Sequence, residues 1–313
     1  MSEQPVGAET CTSFDRGAVF EAYKSRETAL GALPIRRALP VRDRRLIGPW
    51  CFLDRYGPLT FKDAKPMDVA PHPHIGLQTV SWLLDGEVVH HDSLGFEAVV
   101  RPGGVNVMTS GVGIAHAEET PKQNRGTLYG VQLWIAMPEA KRHIDPTFQH
   151  VSRVPQVELH GGVAQVFAGE LEGTSSPAKV WSDLVGVDLA VHPKETVRFP
   201  AVPAREYGVF VLAGDAETEG RPLEKDTMYY FGRGRSELAL RSSKGARLLV
   251  IGGAPFRDPV LMWWNFVAST PEEIAEARSD WEEGRRFGTV SSYKGERLPA
   301  PPLGKFARPN PAS

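Results

Sequence analysis

The chain has 313 residues, 41% of them hydrophobic, and a formal net charge of −2. This composition is that of a folded globular protein, and the charge gives no electrostatic reason for general nucleic-acid or membrane binding. No apolar run reaches membrane-spanning length, and the first residues lack a secretory pattern, so a cytoplasmic location is expected.

The N-terminal region contains a polar tail and a basic cluster. Residues 1–15 are predicted to be disordered, and a first domain is predicted to span residues 16–150. The basic cluster consists of Arg36, Arg37, Arg42, Arg44 and Arg45. Such a cluster is typical of a solvated face with ion pairs, and the alternative is a surface for an anion or a protein partner.

Residues 48–57 (GPWCFLDRYG) predict a buried strand that enters the first domain. Cys51 lies in this apolar stretch and is predicted to be a small buried hydrophobic residue. With Cys11 as the other cysteine, the sequence does not indicate a disulfide framework.

Two short pairs of residues stand at the centre of the first half. His72 and His74 lie in PHPHIG, and His116 and Glu118 lie in GIAHAEE. A spacing of two residues places both side chains of a pair on one face of a β-strand. If two such strands face each other, three imidazole nitrogens and one carboxylate oxygen converge. This donor set suits a divalent transition metal rather than Ca²⁺ or Mg²⁺.

The residues between the two pairs are typical of β-structure. Thr79–Leu84 predicts a strand, Asp85-Gly86 a hairpin turn, and Glu87–Asp92 the return strand. Arg101–Gly104 predicts a further turn, which is followed by the apolar run Val105–Met108. A strand that carries HxH, followed by turns and a strand with another histidine, is the pattern of a cupin barrel.

Other side chains are candidates for the surroundings of the metal. Gln78 and Trp82 lie four and eight residues after His74, so strand parity would point them inward as well, and Met108 is a third candidate. For Trp82, a place in the hydrophobic core is the equal alternative. His90 and His91 are consecutive, so one of them is expected to face the site, with a hydrogen-bonded or solvated role as the alternative.

The second half repeats the first faintly. Residues 210–214 (FVLAG) resemble residues 82–86, and Gly232–Gly234 resembles Gly111–Gly113. In this register, Pro200 and Val202 stand opposite the first pair, and Glu237 and Ala239 stand opposite the second. The half is therefore predicted to be a second barrel, over residues 151–297, without a metal site.

The end of this half predicts a helix. Thr270 is a candidate N-cap, Pro271 suits the first helical position, and Glu273 completes a capping box. Ile274, Ala277 and Trp281 form one apolar stripe along that helix. The Pro-rich residues 298–313 are predicted to form an extended or disordered tail.

The segments PHPHIGLQTVSWLLDGEVVHHDSLG and RPGGVNVMTSGVGIAHAE resemble the pirin family, as do GTLYGVQLWI and GGAPFRDPV. The resemblance covers roughly residues 30–290 and implies an all-β fold of two cupin barrels with a C-terminal helix. It also implies metal ligation by His72, His74, His116 and Glu118, with Fe(II) as the metal. Many cupins have a glutamate ligand at the position of Gln78, so here the carboxylate has to come from Glu118.

Four protein ligands leave two of six octahedral positions open, which is typical of a catalytic or sensing site. Mn, Ni, Cu, Co or Zn could replace iron in a purified sample. A structural zinc site is the alternative, although such sites are usually closed and rich in thiolates.

The pirin resemblance implies cleavage of quercetin by a 2,3-dioxygenase reaction, with a small aromatic or enolic substrate and O₂. In that hypothesis the flavonol binds the metal through its 3-hydroxyl and neighbouring carbonyl, Glu118 takes the hydroxyl proton, and O₂ adds across the 2,3-bond. The alternative is an iron-dependent redox-sensing regulator with a protein partner, for which the basic cluster is the candidate surface. A metal-dependent isomerase or epimerase is a third hypothesis.

Overall fold

The computed structural model describes residues 19–30, 33–62, 65–123 and 126–304. The predicted disordered tail at residues 1–15, Cys11 and residues 305–313 of the Pro-rich tail lie outside the described residues. Within the described ranges, no helix is long and apolar enough to cross a membrane.

The strands of the first half are short and follow one another closely, as its many turn residues predict. They are β1 Phe20–Lys24, β2 Arg26–Leu30, β3 Leu33–Leu39, β4 Trp50–Thr60, β5 Asp68–His74, β6 Leu77–Gly86, β7 Val88–Asp92, β8 Glu97–Val100, β9 Val105–Thr109, β10 Ile114–Glu119, β11 Thr127–Ala136 and β12 Thr147–Val151.

The second half has the same character and ends in a helix. Its elements are β13 Gln156–Leu159, β14 Gly162–Leu171, β15 Thr174–Ser175, β16 Leu184–Val191, β17 Thr196–Pro200, β18 Glu206–Gly214, β19 Ala216–Thr218, β20 Arg221–Leu223, β21 Thr227–Phe231, β22 Glu237–Arg241, β23 Ala246–Gly253, β24 Leu261–Trp263, β25 Phe266–Ala268 and α1 Pro271–Glu282.

These strands form two cupin barrels, each with one small and one large antiparallel sheet. The small sheets have the orders β5-β10-β7-β8 and β17-β22-β19-β20. The main paths of the large sheets are β12-β9-β6-β11-β4-β3-β2 and β1-β21-β18-β23-β16-β14-β13. The two halves therefore have the same strand order, and the predicted all-β fold of two cupin barrels with a C-terminal helix is confirmed.

The two barrels exchange an outer strand. β1 precedes the first barrel in the chain but pairs with β21 of the second, with Phe20 opposite Phe231. β12, which precedes the second barrel, pairs with β9 of the first, with Thr147 opposite Thr109. The domain limits at residues 150 and 297 stay a prediction.

The large sheets pack against each other through their apolar outer faces. Trp82 of β6 stacks on Phe167 of β14 with 5.2 Å between ring centroids, and its indole N–H donates to Asp188 at 2.7 Å. Phe210 and Val80 belong to the same buried cluster. Because successive strand residues point to opposite faces, the other face of each large sheet lines its own barrel.

The chain crosses from one sheet to the other after β6, so the predicted hairpin at Asp85-Gly86 is wrong. β6 pairs with β11 and β9, whereas β7 pairs with β10 and β8 of the small sheet. Gly86 has a φ of +84°, which glycine adopts readily, and it makes a sharp change of direction there. Turn-forming residues predict the change of chain direction, but they do not predict which strand the next strand pairs with.

The predicted register of the second barrel is also wrong. Val202 and Glu237 are exposed, whereas the buried interior positions of β17 and β22 are Val197, Phe199, Leu238 and Leu240. The alignment rested on glycines in loops, which do not fix the parity of the neighbouring strands.

The C-terminal segments fold back onto the first barrel. Thr270 caps α1 as predicted, accepting from the Glu273 N–H, while the Glu273 carboxylate accepts from the Ser269 N–H. The predicted apolar stripe of Ile274, Ala277 and Trp281 is buried, in one cluster with Ala115 and Ala117 of β10. Farther on, the Leu298 N–H donates to the Pro71 carbonyl at 2.8 Å. Part of the predicted tail thus braces β5 and β10 from outside.

Candidate metal centre and substrate cavity

The two histidine-bearing strands lie side by side in the small sheet of the first barrel. β5 and β10 are antiparallel neighbours, with His72 directly opposite His116. All three histidine side chains are buried. The pairs predicted from sequence to face one interior point are therefore adjacent.

The three imidazoles converge closely enough to share one cation. Their ligand nitrogens all lie within 4.8 Å of one another, and Nε2 of His74 is 3.0 Å from Nε2 of His116. In the described part of the chain, no other group of three or more His, Cys, Asp and Glu side chains has such spacing.

Hydrogen bonds on the far side of the rings fix which nitrogen carries the proton. Nδ1 of His72 is 2.9 Å from the Ala70 carbonyl, and Nδ1 of His74 is 3.0 Å from the Asn265 carbonyl. A carbonyl only accepts, so each Nδ1 donates and each Nε2 keeps a free lone pair. This is the arrangement that metal-binding histidines require.

His116 is held in the same way by two side chains. Nε2–H of His90 donates to the Asp92 carboxylate at 3.0 Å, which leaves Nδ1 of His90 as an acceptor 3.4 Å from Nδ1 of His116. His116 therefore also keeps its Nε2 lone pair free. The Asp92 carboxylate accepts in turn from the backbone N–H groups of Leu94 and Phe96, and His90 stacks on Phe148 at 4.2 Å.

These tautomers show that the residues fit a metal. The lone pairs of His74 and His116 face each other at 3.0 Å, an arrangement that repels unless a cation lies between them. This is also the separation of two nitrogen ligands at right angles around a cation about 2.1 Å from each. Burial lowers the pKa of His72 to about 4 and the pKa of His74 and His116 well below the usual value, so all three rings are neutral.

Glu118 lies beside the histidines but outside their close group. It is buried and lines the same cavity, and Oε1 accepts from the Ser81 hydroxyl at 3.1 Å. Burial raises the pKa of this carboxyl to about 7. The pairing of β10 with β5 shifts between His116, opposite His72, and Glu118, opposite Val69, so β5 carries one extra residue there. Its role as fourth ligand stays a prediction.

A cavity of 390 Å³ opens onto the three histidines. One wall carries aromatic side chains: Phe52 stacks on Trp134 at 4.0 Å, and Trp134 meets His74 edge to face at 5.3 Å. Another part of the lining comes from the turn between β24 and β25, where Trp264 has a φ of +52° and the Asn265 carbonyl accepts from His74. A bulky residue with this φ is unusual and is found at functional sites.

Comparison with known proteins assigns the family. Residues 32–135 match the family model Pirin, and residues 186–288 match the model Pirin C-terminal cupin domain. The chain belongs to the pirin family. It is 44% identical over 274 residues to a Pseudomonas aeruginosa protein named "Putative quercetin 2,3-dioxygenase", covering 87% of each chain. A pirin-like protein of Caulobacter vibrioides is 37% identical, over 89% of this chain and 98% of the relative.

Solved structures agree with the pirin assignment. A crystal structure of quercetin 2,3-dioxygenase from Acinetobacter baumannii matches with a TM-score of 0.89 and 43% identity, covering 93% of this chain and 97% of that one. A bacterial pirin from Escherichia coli, solved in complex with nickel(II), has a TM-score of 0.62, 17% identity and coverage of 76% and 100%. At that identity the likeness shows the fold alone.

In this pirin, two of the side chains predicted to surround the metal point away from it. Gln78 donates to Thr109 and to the Lys179 carbonyl of the second half, and Trp82 lies in the interface between the barrels. The turn at Gly76, which has a φ of +67°, separates β5 from β6, so the parity of His74 does not continue into β6. Met108 is buried beside Thr79 but does not line the cavity.

Of the consecutive histidines, His90 faces the site and His91 faces outward. His91 contacts Ser292, Glu97 and Glu119 instead. The alternation along β7 was therefore sufficient to expect one histidine near the metal, but not to say that it contacts His116. Trp264, Asn265 and the cavity residues of β3 and β4 were missed, because nothing in their local sequence connects them to the histidine pairs.

The basic cluster is largely ion-paired. Arg36 pairs with Glu27 at 2.8 Å, Arg44 pairs with Glu21 at 3.0 Å, and Arg37 pairs with Asp54 inside the cavity. This bears out ion pairing and gives no support to a partner surface. Cys51 is fully buried as predicted, and burial raises its pKa to about 12.

Proposed function

We propose that this pirin is an iron-dependent dioxygenase that cleaves the oxygen-bearing ring of quercetin or a related flavonol or enol. The observation that carries the proposal is the convergence of three neutral, buried imidazoles with free Nε2 lone pairs on an aromatic-walled cavity. The relatives named for quercetin 2,3-dioxygenase support the choice of substrate class.

His72, His74, His116 and Glu118 would hold the metal. Imidazole nitrogen and carboxylate oxygen suit iron, and the same set also accepts Mn, Co, Ni, Cu or Zn. When bound, the ion supplies Lewis-acid and redox chemistry toward an enol oxygen and O₂. Four protein ligands leave room for these small molecules.

The protein side chains bind the substrate and move its proton. The stacked Phe52 and Trp134 line the cavity and offer apolar ring edges to an aromatic substrate. Glu118 takes the proton of the reacting hydroxyl, since its carboxylate lines the cavity beside the three histidines. Ser81 steadies this carboxylate through its hydroxyl hydrogen bond.

The test is oxygen uptake after anaerobic loading with Fe(II). We expect quercetin to start O₂ consumption at a rate proportional to bound iron, with both oxygen atoms recovered in organic products. His116→Ala should abolish uptake, whereas the matched variant His91→Ala, on the outward face of β7, should retain it.

Equal uptake by wild type and His116→Ala would overturn the proposal. Conversion of an enol substrate without O₂ consumption would favour the isomerase alternative. Zinc that cannot be removed without unfolding the protein would favour a structural site.

A further inference from the structure

A row of polar side chains runs across the inner face of the large sheet of the first barrel. Cross-strand register places Arg37 of β3 beside Asp54 of β4, and Asp54 beside Gln132 of β11. Gln132 in turn stands beside Ser81 of β6, which bonds to Glu118. Arg37, Asp54 and Gln132 all line the cavity. The row therefore starts at the candidate metal centre and ends at Arg37.

An aromatic row runs parallel to it, one step along the strands. The Arg37 guanidinium lies 4.5 Å from the centroid of the Phe52 ring, and Phe52 stacks on Trp134, which contacts His74. Two aromatic rings thus lie between Arg37 and His74. A ligand that reaches from one to the other has to span both of them and so contains more than one ring.

The far end of the cavity offers a hydrogen-bond donor beside an acceptor. Nε and Nη2 of Arg37 donate to Oδ1 and Oδ2 of Asp54, both at 2.7 Å. Nη1 of Arg37 has no hydrogen-bond partner among the described residues, and each carboxylate oxygen retains a lone pair. A phenolic hydroxyl can accept from Arg37 and donate to Asp54.

We infer that Arg37 and Asp54 form a subsite for a hydroxyl group at the end of the substrate remote from the metal. This inference rests on the proposed function and narrows its substrate class. The preferred substrates are planar polyphenols with a distal ring hydroxyl, in preference to flavonols or enols that lack one.

The experiment compares two flavonols on the iron-loaded protein: quercetin, which carries distal hydroxyls, and 3-hydroxyflavone, which carries only the reacting 3-hydroxyl. Binding is followed by quenching of tryptophan fluorescence under anaerobic conditions, and turnover by O₂ uptake. The variant is Arg37→Met, and the matched control is Arg36→Met. Arg36 neighbours Arg37 on β3 and pairs outside the cavity with Glu27 and Asp226.

We expect Arg37→Met to raise the Kd and KM of quercetin about tenfold or more, since a hydrogen bond from a charged donor is lost. The values for 3-hydroxyflavone should change less than about twofold, and Arg36→Met should change neither. Because the single variant leaves Asp54 buried without its partner, Arg37→Met/Asp54→Asn serves as a second variant if the first does not fold.

Equal weakening of both flavonols, or no change in either, would overturn the subsite. Failure of the proposed function is a different result: wild type would bind quercetin, with the same dependence on Arg37, but would consume no O₂. If wild type binds no flavonol at all, both proposals fall.

Discussion

The two barrels have the same strand order but opposite interiors. In the first, the small sheet places His72, His74, His116 and Glu118 around a cavity of 390 Å³. In the second, Val197, Phe199, Leu238 and Leu240 fill the interior of the small sheet. The scaffold therefore does not create the chemistry, which depends on a few inward positions of two adjacent strands.

The two barrels therefore contribute differently: the first carries the candidate site, and the second mainly adds stability. Buried imidazoles and an open cavity forgo apolar contacts that would stabilise the first barrel. The second barrel, with its filled core, packs its large sheet against that of the first, and the chain after it braces β5 and β10 from outside. In this fold the second barrel stabilises the barrel that carries the candidate metal site.

The difference between the two barrels should be reduced most when one of the three histidines is removed. We expect His74→Ala to weaken Fe(II) binding by at least about a thousandfold, because it removes one of three converging nitrogens and exposes no replacement. Metal content after gel filtration measures this, with His91→Ala as control. Full iron content in His74→Ala would contradict the assignment.

A large side chain removed from the second barrel should act on stability alone. Phe199→Ala is expected to lower the free energy of unfolding by about 3–5 kcal/mol, because it leaves a cavity in a filled core. Denaturant titration gives this value, and isothermal titration with Fe(II) should show unchanged affinity in the folded protein. A tenfold weaker Fe(II) affinity would show that the interiors are not independent.

Removing the residue that orients His116 should weaken metal binding less than removing a ligand does. We expect His90→Ala to weaken metal binding by about 10- to 100-fold, because His116 loses the acceptor that fixes its tautomer. His90→Gln, whose amide can accept from His116 and donate to Asp92, should recover much of this loss. Competition with a chelator measures the affinities, and the ligand-field spectrum of the Co(II) form reports the geometry. An unchanged spectrum in His90→Ala would argue against positioning.

The smallest effect is expected at the start of the helix that braces the metal-bearing sheet. Thr270→Ala should lower the free energy of unfolding by about 1 kcal/mol through loss of the N-cap, with metal affinity within about twofold of wild type. Thermal unfolding of the metal-free protein tests this. A loss of metal without a loss of stability would mean that the helix acts directly on the site.

Much of the fold and the centre of the site followed from the sequence. The i, i+2 spacing of His72/His74 and of His116/Glu118 was informative because residues two positions apart on a strand project from the same face. It failed for Gln78 and Trp82, because the turn at Gly76 moves the chain into another sheet with new parity.

Contacts between segments far apart in the sequence could not be predicted. Asn265 holds His74 across 191 positions, and Arg37 reaches the cavity through the register of β3 with β4. Register and loop placement depend on tertiary packing, which no local pattern in this chain encodes.

We expect the first barrel to hold one metal ion and the second barrel to hold none. Anomalous X-ray diffraction at the iron edge, from crystals of the iron-loaded protein, tests it most directly. We predict a single peak about 2 Å from Nε2 of His72, His74 and His116, with a Glu118 oxygen also in contact. A peak inside the second barrel, or a first-barrel peak without these three nitrogens, would contradict it.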